Sequence, residues 1–285
     1  MERVLLMLPD AGALVGRENE LNKLLSTIRE RKSLHIYGPE GTGKSSLLNW
    51  AYDNWGEAEH SLVPGAADHS PGQHDSIIPV YSRDSSTFRE IVLSISNFLL
   101  VHFERLKIID KFKEVTEIRH VRDIKKLDIR ALRNMIYAYL KQDKFCLMLD
   151  HLECVTPRIN GFLGVLYEQL PVISASRQSW ELTDYTFRGD LGHFLYLVPK
   201  LKVENLQKAD ALTLMKQIAG DARLDGDLLE RVYCISNGNP GLIKKIISMA
   251  LEPKYLIYGS VDLNLIMLDL EIEKIGKDAW KGKRP

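Results

Sequence analysis

Apolar residues recur at helical spacing over residues 17–32 (RENELNKLLSTIRERK), where Leu21, Leu24, Leu25 and Ile28 share one face. The pattern then shortens. SLHIY reads as a strand, and GPEGTGKSSLLNWAYDNW as a turn followed by a helix with Leu47, Leu48 and Ala51 facing inward. Residues 56–76 (GEAEHSLVPGAADHSPGQHDS) have no period and are rich in Gly, Pro, Ser and His, the composition of a loop. IIPVYS at 77–82 predicts a second strand. Ser85 or Ser86 then stands where it caps the widely apolar helix FREIVLSISNFLLVHFERL. Residues 104–126 are dense in charge and show no single period. LDIRALRNMIYAYLKQ predicts a helix, and FCLML, PVISAS (171–176) and FLYLVP (194–199) predict the third, fourth and fifth strands. From residue 200 the pattern becomes helical, in LQKADALTLMKQIAG, DGDLLERVYCISNG and GNPGLIKKIISMALE. The tail, YLIYGSVDLNLIMLDLEIEKIG, adds a strand or a helix.

Alternating strands and helices over 34–199 imply an α/β fold with a parallel sheet, and the helices after it a smaller all-α unit. The expected division is a core at 1–199, a helical segment at 200–254 and a C-terminal extension at 255–285.

Composition narrows the classes further. The 285 residues carry 38 Lys+Arg and 38 Asp+Glu, so the whole chain has no net pull on nucleic acid or membranes. Residues 104–144 depart from that balance, with twelve Lys/Arg against seven acids, a net of +5. A mixed solvated helix face is the ordinary reading of such a stretch, and a DNA- or RNA-facing surface the sharper one. Cys146, Cys154 and Cys234 have neither metal-ligand spacing nor a disulfide framework, which suits a reducing cytoplasm. His60, His69 and His74 lie in the loop at 56–76 and read as solvated rather than as metal ligands. The opening MERVLLMLPDAGALVG is too short to span a bilayer and makes a poor signal peptide.

The most specific chemistry is Gly38-Pro39-Glu40-Gly41-Thr42-Gly43-Lys44-Ser45, a full match to G-x-x-x-x-G-K-[ST] between a strand and a helix. Gly41 and Gly43 let the backbone curl so that successive N–H groups face phosphate oxygens. The helix starting near Lys44, with Ser45 and Ser46 in its first turn, adds its positive end. Lys44 is expected at the β- and γ-phosphates and Ser45 on Mg²⁺. Asp150, after the run FCLML, is the expected acid on the metal side.

ALVGRENEL (13–21), with Val15, Gly16 and Arg17, resembles the box before the first strand in AAA-type ATPases of the origin-recognition group and in STAND ATPases. In those families this box lies against the adenine. PVISASR resembles the STAND strand whose arginine senses the γ-phosphate, which implies that role for Arg177. GNPGLI resembles the GxP motif of the STAND helical lid, which implies a base contact for Pro240. The resemblance implies ATP and Mg²⁺ as ligands, held between cradle and lid, and a sheet ordered 5-1-4-3-2. It further implies an arginine reaching a neighbouring subunit's site, for which Arg188 and Arg158 are candidates. One departure stands out. The slot after Asp150 holds His151, where these families have Glu or Asp, so the base is Glu153, His151 or absent.

Three classes of function follow. The first is a slowly hydrolysing ATP switch that assembles as a homo-oligomer on DNA, through 104–144, as transposition and replication regulators do. The second is a STAND-type signalling or defence module acting with a separate effector chain. The third is a nucleotide-binding scaffold with negligible turnover.

Overall fold

A computed structural model describes residues 14–55, 77–109, 115–141, 144–179, 193–220, 222, 224–257 and 260–281. It divides into two compact units, one of Met1–Pro39 with Lys44–Val203, the other of Glu40–Gly43 with Glu204–Pro285.

In the first unit, helix α1 (Glu18–Arg29) leads to β1 (Leu34–Tyr37) and α2 (Lys44–Asp53). Next come β2 (Ile78–Ser82) and α3 (Phe88–Phe103). The charge-dense stretch folds as an antiparallel hairpin of β3 (Leu106–Ile109) and β4 (Val115–Ile118), in register Leu106↔Ile118. A one-turn α4 (Val121–Ile124) and α5 (Ile129–Tyr139) return the chain to β5 (Phe145–Leu149). Helix α6 (Pro157–Tyr167), β6 (Val172–Ser176), a short α7 (His193–Leu197) and β7 (Lys200–Lys202) complete the unit.

Five parallel strands form the sheet in the order β2-β5-β6-β1-β7. With the hairpin strands left out of the count, this is the expected 5-1-4-3-2 read from the other edge. The fifth strand, however, is not FLYLVP. His193–Leu197 is helical and Lys200–Lys202 supplies the strand, because the pairing His35↔Lys200 to Tyr37↔Lys202 falls beyond Pro199. A proline has no N–H to give to a ladder. The cap of α3 also differs from expectation: the Thr87 hydroxyl, not Ser85 or Ser86, accepts from the Glu90 N–H at 3.2 Å.

Every residue of β5 and β6 is buried. Phe145, Leu147 and Leu149 enter one apolar cluster with α3, α5 and α6. Cys146 and Met148 enter the other, with α1, α2 and β1. The period of two therefore sends one continuous apolar run to two cores, which is why FCLML carries no alternation.

In the second unit, α8 (Lys208–Ala219), α9 (Gly226–Ser236) and α10 (Pro240–Ala250) pack on one another. Asn237 (φ 48°) and Gly238 (φ 71°) are both left-handed and swing the chain from α9 into α10. A methyl group on Gly238 would stand 2.2 Å from the Leu206 carbonyl oxygen, so only glycine fits this turn. The tail forms both elements that its pattern allowed, a two-residue pair β8 (Leu256–Ile257) with β9 (Ser260–Val261), then α11 (Leu263–Lys281). Among the described residues no helix is long and apolar enough to cross a membrane.

Candidate functional site: a phosphate cradle

The C-terminal ends of the parallel strands carry the chemistry. Gly38 follows β1, Asp150 follows β5 and Arg177 follows β6, at the edge where open α/β sheets bind ligands. In the cradle, Gly41 (φ 82°) and Gly43 (φ 98°) hold the left-handed backbone that the motif demands. The Lys44 ammonium is buried and donates to the carbonyls of Gly38 (2.7 Å) and Pro39 (2.8 Å). Ser45 is half-buried and Ser46 exposed, one residue apart in the first turn of α2. Curled glycine backbone, a lysine and a helix start form a donor set suited to phosphate oxygens, so the residues present fit a nucleotide phosphate.

Asp150 is 3% exposed and its surroundings are built for a carboxylate. Its backbone N–H donates to the Ser82 carbonyl and its own carbonyl accepts from the Ser85 N–H, both at 2.9 Å. One carboxylate oxygen accepts from the His151 N–H at 2.9 Å and the other from the Tyr81 hydroxyl at 3.2 Å. His151 sits at φ 57°, a left-handed turn. Its imidazole is largely exposed and lies 3.8 Å from the Asp150 carboxylate. Burial first, and then the charge of Asp150, push the Tyr81 phenol above its usual range and keep it a donor.

Glu153 and Arg177 meet each other. Both Glu153 carboxylate oxygens accept from the Arg177 N–H at 3.1 Å, and Arg177 Nε lies 3.3 Å from Glu153 Oε2. Nearby, His35 on β1 is buried between Ser174 Oγ (2.9 Å from Nδ1) and the Gln178 carbonyl (2.8 Å from Nε2). A carbonyl only accepts, so Nε2 carries the proton. Burial lowers the His35 pKa to about 4.

Within the second unit, the cradle tip is tied to the start of α10. Asn239 Nδ2 donates to the Glu40 carbonyl (2.8 Å) and the Gly241 N–H to the Gly41 carbonyl (2.9 Å). Asn239 Oδ1 caps the helix through the Leu242 N–H at 3.1 Å, and Pro240 is the first helical residue.

The sequence matches no family model and no curated protein. The fold, by contrast, is shared with solved structures. The ORC1 protein of Aeropyrum pernix in complex with DNA superimposes with a TM-score of 0.63 at 15% identity, over 95% of this chain and 69% of that one. A Walker-type ATPase of Pyrococcus abyssi gives 0.57 at 17%, over 96% and 77%. The ORC2 protein of Aeropyrum pernix, in ADPNP–ADP complexes, gives 0.55 at 14%, over 88% and 66%.

The chain shares the fold of these three solved structures.

Within this fold the other expected residues lie as follows. Gly16 (φ 67°) turns the chain into α1 beside half-buried Val15, and the Arg17 guanidinium is 5% exposed and paired with Glu20 at 2.8 Å. Arg158 is exposed in the first turn of α6. Arg188, the loop histidines and Lys111 and Lys113 lie outside the described residues. On the hairpin, Leu106, Ile108 and Ile118 point into the core, while Arg105, Lys107 and Arg119 are exposed. Glu117 faces Arg119 at 2.8 Å and Arg105 at 3.9 Å, so part of the local excess of positive charge is already matched.

Two residues at the site, Tyr81 and Asn239 inside GNPGLI, were not among the expected site residues. Asn239 is legible as a helix cap before a proline, but its bond to Glu40 spans 199 positions. Tyr81 reads only as an inward strand residue. Its contact with Asp150 depends on the parallel pairing of β2 with β5, which the sequence does not print.

Proposed function

We propose that the chain binds ATP·Mg²⁺ and hydrolyses it slowly, and that nucleotide state controls its self-association, in connection with DNA. The observation that carries this reading is the cradle Gly38–Ser45, folded as strand, glycine turn and helix, with buried Asp150 at the same sheet edge. Lys44 and the cradle N–H groups hold the phosphates. Ser45 and Asp150 would hold the metal, which when bound would supply positive charge against that of the phosphates. Arg177, tied to Glu153 at the end of β6, is assigned to sensing the γ-phosphate. Glu153 orients the attacking water, and a neighbouring subunit's arginine completes the site. The Val15–Arg17 turn is assigned to the base.

Exposed Arg105, Lys107, Arg119, Arg122, Lys125, Lys126 and Arg130 support a nucleic-acid surface. So does the likeness in fold to the ORC1 protein, solved with DNA. A second reading, a module acting with a separate effector chain, is favoured by Leu268, Ile272 and Ile275. They are exposed on α11 at helical spacing.

Sizing the purified chain with ATP, ADP or neither, with and without duplex DNA, tests these readings. Assembly that needs both ATP and DNA, and weakens steeply with salt, supports the first. Indifference to DNA with stable capture of a partner supports the second. No change of size under any condition removes the switch. Lys44→Ala abolishes every ATP effect if the cradle is assigned correctly.

A further inference from the structure

A buried carboxylate that serves a metal must be held in one orientation before the metal arrives, and Asp150 is held by neighbours that no motif names. Strand pairing places Tyr81 opposite Met148 and Ser82 opposite Leu149, so β2 ends alongside the end of β5. The Asp150 backbone is pinned there by Ser82 and Ser85. Its side chain has two fixed donors, the His151 N–H on Oδ1 and the Tyr81 hydroxyl on Oδ2. The first is main chain. The second is the one side-chain hydroxyl seen on this carboxylate among the described residues.

Tyr81 is itself fixed. It is 9% exposed, its ring lies 5.4 Å from that of Tyr52, and the Arg83 guanidinium stands 5.9 Å from its centroid. Tyr52 belongs to α2, the helix that begins at Lys44. A chain of contacts therefore runs from the helix that follows the cradle, through two tyrosine rings, to the oxygen of the acid.

We propose that Tyr81 is the positioning residue that sets the Asp150 carboxylate for magnesium, by donating its hydroxyl to Oδ2. The inference rests on the ATP·Mg²⁺ reading above. Tyr81 touches neither metal nor nucleotide. It fixes which lone pairs of Asp150 remain for the metal and its waters, as outer-shell hydrogen bonds do at other metal sites. Tyr81→Phe keeps the ring, the Tyr52 contact and the burial, and removes only the donor. The carboxylate then keeps one fixed donor and rotates more freely.

The test measures binding, not turnover. A fluorescent ATP analogue is titrated into the full chain at rising Mg²⁺, and in EDTA, for the wild type, Tyr81→Phe, Asp150→Asn and the double variant. Tyr81→Phe is expected to raise the half-saturating Mg²⁺ concentration by about 10- to 100-fold, the usual cost of an outer-shell partner. Affinity for the analogue in EDTA stays at the wild-type level. In the Asp150→Asn background the tyrosine change has no further effect on the Mg²⁺ response. A thermal melt accompanies each variant, because a purely structural tyrosine shifts the melt and leaves the Mg²⁺ midpoint in place. That pattern overturns the proposal, as does an additive loss in the double variant. A wild-type chain whose binding ignores Mg²⁺, or a Lys44→Ala chain that binds as well as wild type, overturns the underlying reading and this inference with it.

Discussion

Glu153 holds the main-chain N–H of Arg177 with both carboxylate oxygens, at 3.1 Å each, and meets the same residue's Nε at 3.3 Å. The acid expected to orient water and the arginine expected to sense phosphate are thus joined. The joint ties the turn after β5 to the end of β6. A carboxylate used this way is oriented, and part of its charge is offset by the arginine.

Replacing Glu153 with Gln keeps one acceptor for the Arg177 N–H and removes the base. Phosphate release should fall by about 10²-fold, in the range that a positioned general base supplies. His151→Gly should change it little, since the His151 contribution to Asp150 comes from its main-chain N–H and its ring is exposed. Glycine also accepts the left-handed backbone at this position without strain. A single-turnover phosphate assay on both variants decides between them. A larger loss in the histidine variant reverses the assignment.

Gly241 approaches the cradle tip so closely that a methyl group there would lie 3.0 Å from the Gly41 Cα and 3.2 Å from its carbonyl oxygen. Both are backbone atoms that would have to give by a few tenths of an ångström. Gly241→Ala should cost about 1–3 kcal/mol, as overpacking commonly does. It should also weaken ATP binding by displacing Glu40 and Gly41. Urea unfolding and nucleotide titration check the two effects. An unchanged affinity would show that the tip adopts its binding shape without the α10 contact.

Cys146 sits in β5 with no exposure, and burial pushes its thiol up to about 12, so it stays protonated and shielded. Cys154 and Cys234 are exposed. Native alkylation followed by peptide mass mapping should label Cys154 and Cys234 and spare Cys146, which reacts after unfolding. Labelling of Cys146 in the native chain would mean that the sheet opens on the timescale of the reaction.

The frame of the site was legible because its signals are local. The cradle is eight consecutive residues, and the apolar run before Asp150 ends in an acid whose burial needs a reason. Non-local relations were not legible. The fifth strand was expected in FLYLVP on apolar content, yet the neighbour available to β1 begins at Lys200, and the residues Lys200–Lys202 are only partly apolar. The hairpin of Leu106–Ile109 with Val115–Ile118 hid because each strand has four residues, too short for a period to show. The partners of Tyr81 and Asn239 became visible only once strand pairing and helix placement were known.

His35 gives the fold a dependence on pH that its sequence position does not suggest. It lies on β1 one residue after the start of the strand, with Nε2–H donating to Gln178 and Nδ1 facing Ser174. Burial, and then the positive charge of Lys200, lower its pKa from 6.5 to about 4, while the Gln178 bond pulls the other way. In the unfolded chain the ring returns to its ordinary value. Between the two values the unfolded state binds the proton and the folded state does not, so stability rises with pH there. The contribution is fully present above about pH 6.5 and is lost as pH falls toward 4. At about 1.4 kcal/mol per pH unit of separation, it is on the order of 3 kcal/mol. Urea midpoints measured from about pH 7.5 down to about pH 4.5 should fall in the wild type and flatten in His35→Gln, whose amide still donates to Gln178 and does not titrate. A wild-type curve that is flat over this window would mean that the ring takes up its proton at the same pH in the folded and unfolded chains, and that burial does not lower its pKa.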